Sequence, residues 1–227
     1  MKKLYKKEKY ETRVEWLNNR GAFGGSSASA LFDANPYMSK LDLYCAAINP
    51  NINENEDDTQ TFSQQYGQDA ESIIRELVKL NFAKKYRTQS PNGFTQYRRI
   101  DKPFMTATLD GILIDLETGE KDILEIKTHI VKGREDLENW DDRLPQNYFI
   151  QGIHYLAVLN DFKGVRFACK LQYLDFETGL PEKEEIRYYY ITRANHIDEI
   201  KLLEKVETDF YYNHILKRIP PNVKISL

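Results

Sequence analysis

Glu125 and Lys127 flank Ile126, and Asp110 stands upstream with fourteen residues between it and Glu125. In an extended chain alternate side chains share a face, so Glu125 and Lys127 project together while Ile126 enters the other side. Two carboxylates brought together across adjacent strands repel unless a cation lies between them, and hard oxygen donors of this type suit Mg²⁺ or Mn²⁺. Such an ion polarises a phosphate and makes bound water more acidic. A neighbouring ammonium can orient the water or offset charge developing on phosphoryl oxygens. These are the parts of a cation-assisted phosphodiesterase. The same three residues could also form a buried ion pair that does no chemistry, because patterns this short recur by chance.

Other polar residues stand where such a centre needs them. Glu71 borders an apolar helical face, although its ordinary reading is an ion pair with Arg75 four residues on. Gln151 and Tyr155 lie one helical turn apart and point the same way; alternatively they are core residues bonded to backbone. His154 has no second His or Cys at ligand spacing and is read as a core histidine. Cys45 and Cys169 are the two cysteines, far apart and outside any CxxC pattern. That excludes a disulfide framework, a zinc site or an iron–sulfur cluster and accords with a reducing cytoplasm.

The elements that must position these groups are legible from periodicity. Residues 104–116 and 122–128 read as two strands joined at Glu117-Thr118-Gly119-Glu120, with Gly119 supplying the positive φ of a tight turn. Both parities of each strand carry aliphatics, so the hairpin is expected to be buried on both faces, as at the centre of an α/β sheet. Residues 64–80 read as a helix with Ala70, Ile73, Ile74, Leu77 and Val78 on one face, and 146–159 as a helix apolar nearly all round. The small-residue run Gly21 to Ser29 leads into a helix through Leu31 that ends at Asn35-Pro36, and 41–48 reads as a further short helix. Residues 49–59 read as an exposed acidic loop. Residues 167–176 and 185–192 read as strands, and 195–219 as a terminal helix stopped by Pro220-Pro221.

The chain of 227 residues is expected to form one domain, and no apolar run is long enough to span a membrane. Its Lys-rich start lacks the apolar core of an export signal, so a cytoplasmic location is expected. The net charge of −3 is awkward for a partner of duplex DNA. Basic residues nevertheless gather at Lys2 to Arg13, Lys84 to Arg87 and Arg98-Arg99, so the balance permits DNA binding without arguing for it.

The ordered series Gly67 to Glu71, Asp110-Gly111, Glu125-Ile126-Lys127 and Gln151 to Tyr155 resembles the G-x-x-x-E, D-G, E-x-K and Q-x-x-x-Y series of the YqaJ and lambda-type exonucleases. These belong to the PD-(D/E)XK nuclease superfamily. Upstream, Trp16, Arg20 and Ser27 are similar to that family's Trp, Arg and Ser, and Asn35-Pro36-Tyr37 to its N-P-Y turn. Leu109 stands where the superfamily pattern has Pro, and the interval from Asp110 to Glu125 is longer than in lambda exonuclease.

The resemblance implies a mixed β-sheet flanked by helices. It implies Mg²⁺, with Mn²⁺ as the alternative, bound by Asp110, Glu125 and the Ile126 carbonyl, with Glu71 acting directly or through water. Lys127 would assist the attacking water, Gln151 would position it or the phosphate with Tyr155 in support, and Arg20 and Ser27 would hold a DNA 5′-phosphate. The alternative for the last pair is a capping Ser beside a solvated Arg. The implied reaction is ATP-independent 5′→3′ digestion of one strand of linear duplex DNA, leaving 3′ overhangs for a single-strand annealing protein. A ring-shaped trimer is implied as well, and the setting is a phage- or prophage-bearing bacterial cell. An endonuclease with the same centre, or a non-catalytic DNA-end-binding module, is the rival expectation.

Overall fold

A computed structural model describes residues 2–49, 62–141, 143–175, 178, 180 and 181–222. The expected acidic loop, Asn49 excepted, lies outside them. The centre is a five-stranded sheet in which β2 (Tyr86–Gln89), β5 (Gly111–Asp115), β6 (Lys121–Val131), β7 (Gly164–Leu174) and β8 (Pro181–Thr192) are neighbours in that order. Strands β6 and β7 run parallel and the other pairs antiparallel, so the sheet is mixed, as expected. The parallel step needs a long crossover, and α6 (Gln146–Val158) supplies it. The turn between β5 and β6 is set by Asp115, whose Oδ1 accepts from the amides of Glu117 and Thr118, and by Gly119 at φ +71°.

The sheet is covered on both faces, as the aliphatics of both parities predict. On one side α4 (Phe62–Phe82) lays Ala70, Ile74 and Val78 over Leu113, Leu124, Ile126 and Ala168. On the other, α6 is buried from Ile150 through Val158 and packs with Ile123, Phe167 and Leu171. The expected apolar face of α4 needs correction, since Ile73 is 65% exposed and Leu77 40%. A helix crossing a sheet buries the stripe at i, i+4 and i+8, and among the described residues nothing covers the stripe beside it.

The strand expected over 104–116 is divided. Thr106–Ala107 forms β4, which joins β1 (Tyr5–Tyr10) and β3 (Phe94–Arg99) in a separate three-stranded sheet, while the chain re-enters the large sheet at Gly111. Asp110 therefore stands at the break between two sheets and not inside a strand. Gly111 permits the crossing, because a Cβ there would press on the Leu124 side chain at 3.2 Å. Strand β1 was not foreseen, since only Tyr5 of its six residues is buried and its three lysines mask the pattern.

The N-terminal region supplies α1 (Arg13–Asn18), α2 (Gly25–Ala28) with a 3₁₀ turn over Ser29–Phe32, and α3 (Lys40–Ile48). A short α5 (Arg134–Glu138) precedes α6. The terminal helix is shorter than expected: α7 spans Ile197–Phe210 and widens into a π turn over Tyr211–Ile215. No helix among the described residues is long and apolar enough to cross a membrane.

Helix α7 is tied to α6 through a fully buried pair. His154 Nδ1 lies 2.7 Å from Glu207 Oε1, and its Nε2 lies 2.9 Å from the Thr106 carbonyl, to which it must donate. Burial works against an imidazolium, yet the Glu207 carboxylate outweighs it and raises His154 above its ordinary value. His154 is thus a satisfied core residue, as read from sequence. Glu207→Ala strands the ring without an acidic partner, and urea unfolding is expected to show a loss of about 3–5 kcal/mol; a loss below about 1 kcal/mol would contradict this account.

Candidate active site

The register places the side chains. On β6, Glu125 pairs with Phe167 of β7 and Lys127 with Cys169, and both residues turn toward α6 while Ile126 packs under α4. Lys127 Nζ donates to Glu125 Oε1 at 2.7 Å, as alternation requires. Gln151 Nε2 donates to the same oxygen at 2.6 Å and to the Tyr155 hydroxyl at 2.8 Å, so both α6 residues reach the site. Asp110 closes it from the strand break: its Oδ2 accepts from the Ile126 amide at 2.7 Å. Asp110, Glu125, Lys127, Gln151 and Tyr155 are therefore one cluster.

Glu71 reaches this region from α4 but is turned to Arg75, with which it forms a close ion pair. Arg75 also donates to the Asp110 carbonyl at 2.7 Å and thereby ties helix to strand break. Gly67, one turn earlier, faces β6, where a Cβ would make only an ordinary contact with Thr128 Oγ1 at 3.4 Å.

The electrostatics are those of crowded acids. Glu125 is 2% exposed, and burial together with the Asp110 charge pushes its carboxyl up to about 8, against the pull of Lys127. Burial also raises Asp110, with Lys127, the Ile126 amide and Arg75 opposing. Glu71 is raised by burial and by Asp110. Burial disfavours the Lys127 ammonium, but Glu125 and Asp110 outweigh it and hold the amine protonated. Lys127 also lies 5.1 Å from the centre of the Tyr148 ring, a cation–π contact the sequence reading missed. Tyr148 is one turn before Gln151 on the same helix, which was the available signal.

One atom is out of balance. Glu125 Oε2 is buried and has no hydrogen-bond partner, which is costly for a polar oxygen. A divalent cation between Asp110 and Glu125 would satisfy it and relieve the repulsion that raises both acids, so the donor set fits a hard ion. No three acidic, His or Cys side chains among the described residues already converge as a cage. The carboxylates of Asp110 and Glu125 are the side-chain donors at hand, while Glu71 is ion-paired with Arg75.

A second group adjoins the first. The Arg20 guanidinium lies over the Trp16 ring at 4.4 Å, is partly desolvated, which lowers it from its ordinary value, and has no carboxylate partner among the described residues. It interacts electrostatically with the Tyr155 hydroxyl, which links it to the acidic cluster. Helix α2 comes so close that a Cβ on Gly25 would fall 2.4 Å from the Tyr155 ring. The Ser27 hydroxyl donates to the Gly24 carbonyl and accepts from the Gly24 amide, both at 3.1 Å, which is capping. Gly25→Ala should push the Tyr155 ring off Gln151, and a mutant whose turnover falls while its melting temperature holds within a few degrees would bear that out.

Comparison with known proteins follows the same lines. Residues 15–162 match the YqaJ-like viral recombinase domain. The uncharacterized protein YqaJ of Bacillus subtilis (strain 168) is 28% identical over 160 residues, 69% of this chain and 46% of that protein, so the chain spans about half its length. Among solved structures, LHK-Exo in complex with dAMP superposes with a TM-score of 0.58 at 14% identity, over 91% of this chain and 97% of the other. LHK-Exo, an alkaline exonuclease from Laribacter hongkongensis, also superposes in a second structure with a TM-score of 0.54 at 16% identity, over 90% and 96% of the two chains. At such identities the likeness establishes the fold.

Proposed function

We propose, from the premise that this chain belongs to the YqaJ-like viral recombinase family, that it is a metal-dependent nuclease digesting one strand of linear double-stranded DNA from the 5′ end. The observation that carries the reading is the buried, unpartnered Oε2 of Glu125 beside Asp110 and the Lys127 ammonium. Asp110, Glu125 and the Ile126 carbonyl would hold Mg²⁺, or Mn²⁺ in its place, and Glu71, paired here with Arg75, would act on the ion directly or through water. A divalent ion so held supplies Lewis acidity toward a phosphate oxygen and more acidic water. Lys127, fixed by Glu125 and Tyr148, keeps its proton and offsets charge on the phosphoryl oxygens. Gln151 fixes the Glu125 carboxylate and, with Tyr155, the position of the incoming phosphate.

The free guanidinium of Arg20 supports the assignment of polarity, because a planar fork can grip a terminal phosphate bidentately. Ser27, which caps α2, would add its hydroxyl to that grip. The product, a 3′ overhang, suits a single-strand annealing partner, and a ring-shaped trimer would gather the basic clusters around DNA despite the net charge of −3. The proposed setting is the cytoplasm of a bacterium carrying the phage or prophage.

The test is digestion of linear duplex with a 5′-phosphate or a 5′-hydroxyl, and of closed circles, in Mg²⁺ and in EDTA. Loss of phosphorylated linear DNA in Mg²⁺ alone is expected. Cleavage of closed circles would make it an endonuclease, and binding without turnover a non-catalytic end-binding module. Arg20→Ala is expected to erase the preference for 5′-phosphate, about tenfold or more in kcat/KM, while leaving the rate on 5′-hydroxyl ends unchanged.

A further inference from the structure

Tyr37 combines a fixed backbone with a free ring. Its side chain is 92% exposed, the most of any large hydrophobic residue among those described. Its turn, however, is held from both sides. Asn35 Oδ1 accepts from the Tyr37 amide at 2.9 Å, and Asn35 Nδ2 donates to the Ser26 carbonyl at 2.9 Å, so one side chain clamps the turn to α2. Pro36 restricts the backbone between them, Met38 packs against the main core, and Ser39 caps α3 by accepting from the Asp42 amide. An aromatic ring held out in water on so constrained a support gains nothing for the fold, which points to a ligand with a flat apolar face.

Its neighbourhood says which ligand. Through Ser26 the turn is fixed to α2, whose Gly25 abuts Tyr155 and hence Gln151 and Glu125. On the other side its hydroxyl is within electrostatic reach of Tyr148, the ring that lies beside Lys127. Tyr37 thus stands near Tyr148, on a turn fixed to the helix that abuts Tyr155.

We infer that Tyr37 is a stacking platform for a nucleobase, receiving the base that leaves the duplex when the end nucleotide is drawn toward Glu125 and Lys127. The inference rests on the nuclease reading above and deepens it, by naming how the terminal pair is opened. Unpairing and unstacking a base costs a few kcal/mol, and an aromatic face returns part of that for any of the four bases. A platform of this kind is indifferent to sequence, as digestion of arbitrary ends requires.

The experiment uses the full chain and a linear duplex with 2-aminopurine as its 5′-terminal base, in EDTA to prevent turnover. Stacking quenches the fluorophore and leaving the duplex stack frees it, so in the complex it should stay quenched with wild type, Tyr37→Phe and Tyr37→Trp and brighten with Tyr37→Ala. In Mg²⁺, Tyr37→Ala should lower kcat/KM on blunt ends about tenfold, and a substrate whose 5′ end is already frayed should recover most of the loss. The alanine variant should melt with wild type, because the ring touches so little of the fold. Equal quenching by Tyr37→Ala and wild type, or a loss in Tyr37→Phe as large as in Tyr37→Ala, would overturn the platform alone. Quenching by a wild type that never digests DNA would instead overturn the nuclease reading and leave the platform standing. A wild type that neither binds nor quenches would end both.

Discussion

Glu125→Gln is expected to cut the rate of linear duplex digestion by about a thousandfold while leaving the protein folded. The amide has the shape of the carboxylate, and its oxygen can still accept from Lys127 Nζ and Gln151 Nε2. What it replaces is Oε2, the atom without a protein partner, with a donor that no cation will bind. The sign of the stability change follows from the same carboxyl. Its folded value of about 8 exceeds its ordinary 4.5, so the stability it contributes is present below about pH 4.5 and lost as pH rises through about 8. In EDTA at pH 8 the Gln variant should therefore melt at or above wild type. On adding Mg²⁺ the order should reverse, since only wild type gains the stabilisation of a bound ion. A Gln variant that kept its activity, or was stabilised by Mg²⁺ as strongly as wild type, would remove Glu125 from the centre.

The parts of this site that were legible in the sequence are those governed by local geometry. Alternation along one strand puts Glu125 and Lys127 together whatever surrounds them, and a helical turn does the same for Gln151 and Tyr155. Asp110 was placed in the right cluster but on the wrong support, because a sequence that reads as one strand from 104 to 116 contains no mark that its halves join different sheets. Ser27 illustrates the limit again: its hydroxyl serves equally a phosphate or a helix start, and sequence spacing alone does not show its bonds to Gly24. Arg75 was seen only as a neighbour of Glu71. Its bond to the Asp110 carbonyl crosses from α4 to the break before β5, a contact set by how helix and sheet dock.

Lys127→Ala is expected to lower turnover at saturating Mg²⁺ by about a hundredfold to a thousandfold, and to move the pH profile as well. In wild type the ion must displace a proton from Glu125, so at subsaturating Mg²⁺ the rate should climb about tenfold per pH unit up to about pH 8 and then level. Lys127, with help from the Tyr155 hydroxyl, opposes burial and the Asp110 charge at this carboxyl. Without the ammonium the carboxyl rises further, and the level region of the profile should begin at higher pH. Lys127→Arg separates the two roles. A guanidinium keeps the positive charge and so holds the profile near that of wild type, but its fork does not fit a space shaped by Glu125 Oε1 and the Tyr148 ring, so turnover stays low. If Lys127→Ala slowed turnover without moving the profile, the ammonium would act on the phosphate alone. If it moved the profile without slowing turnover at high pH, its whole contribution would be to keep Glu125 ionised for the cation.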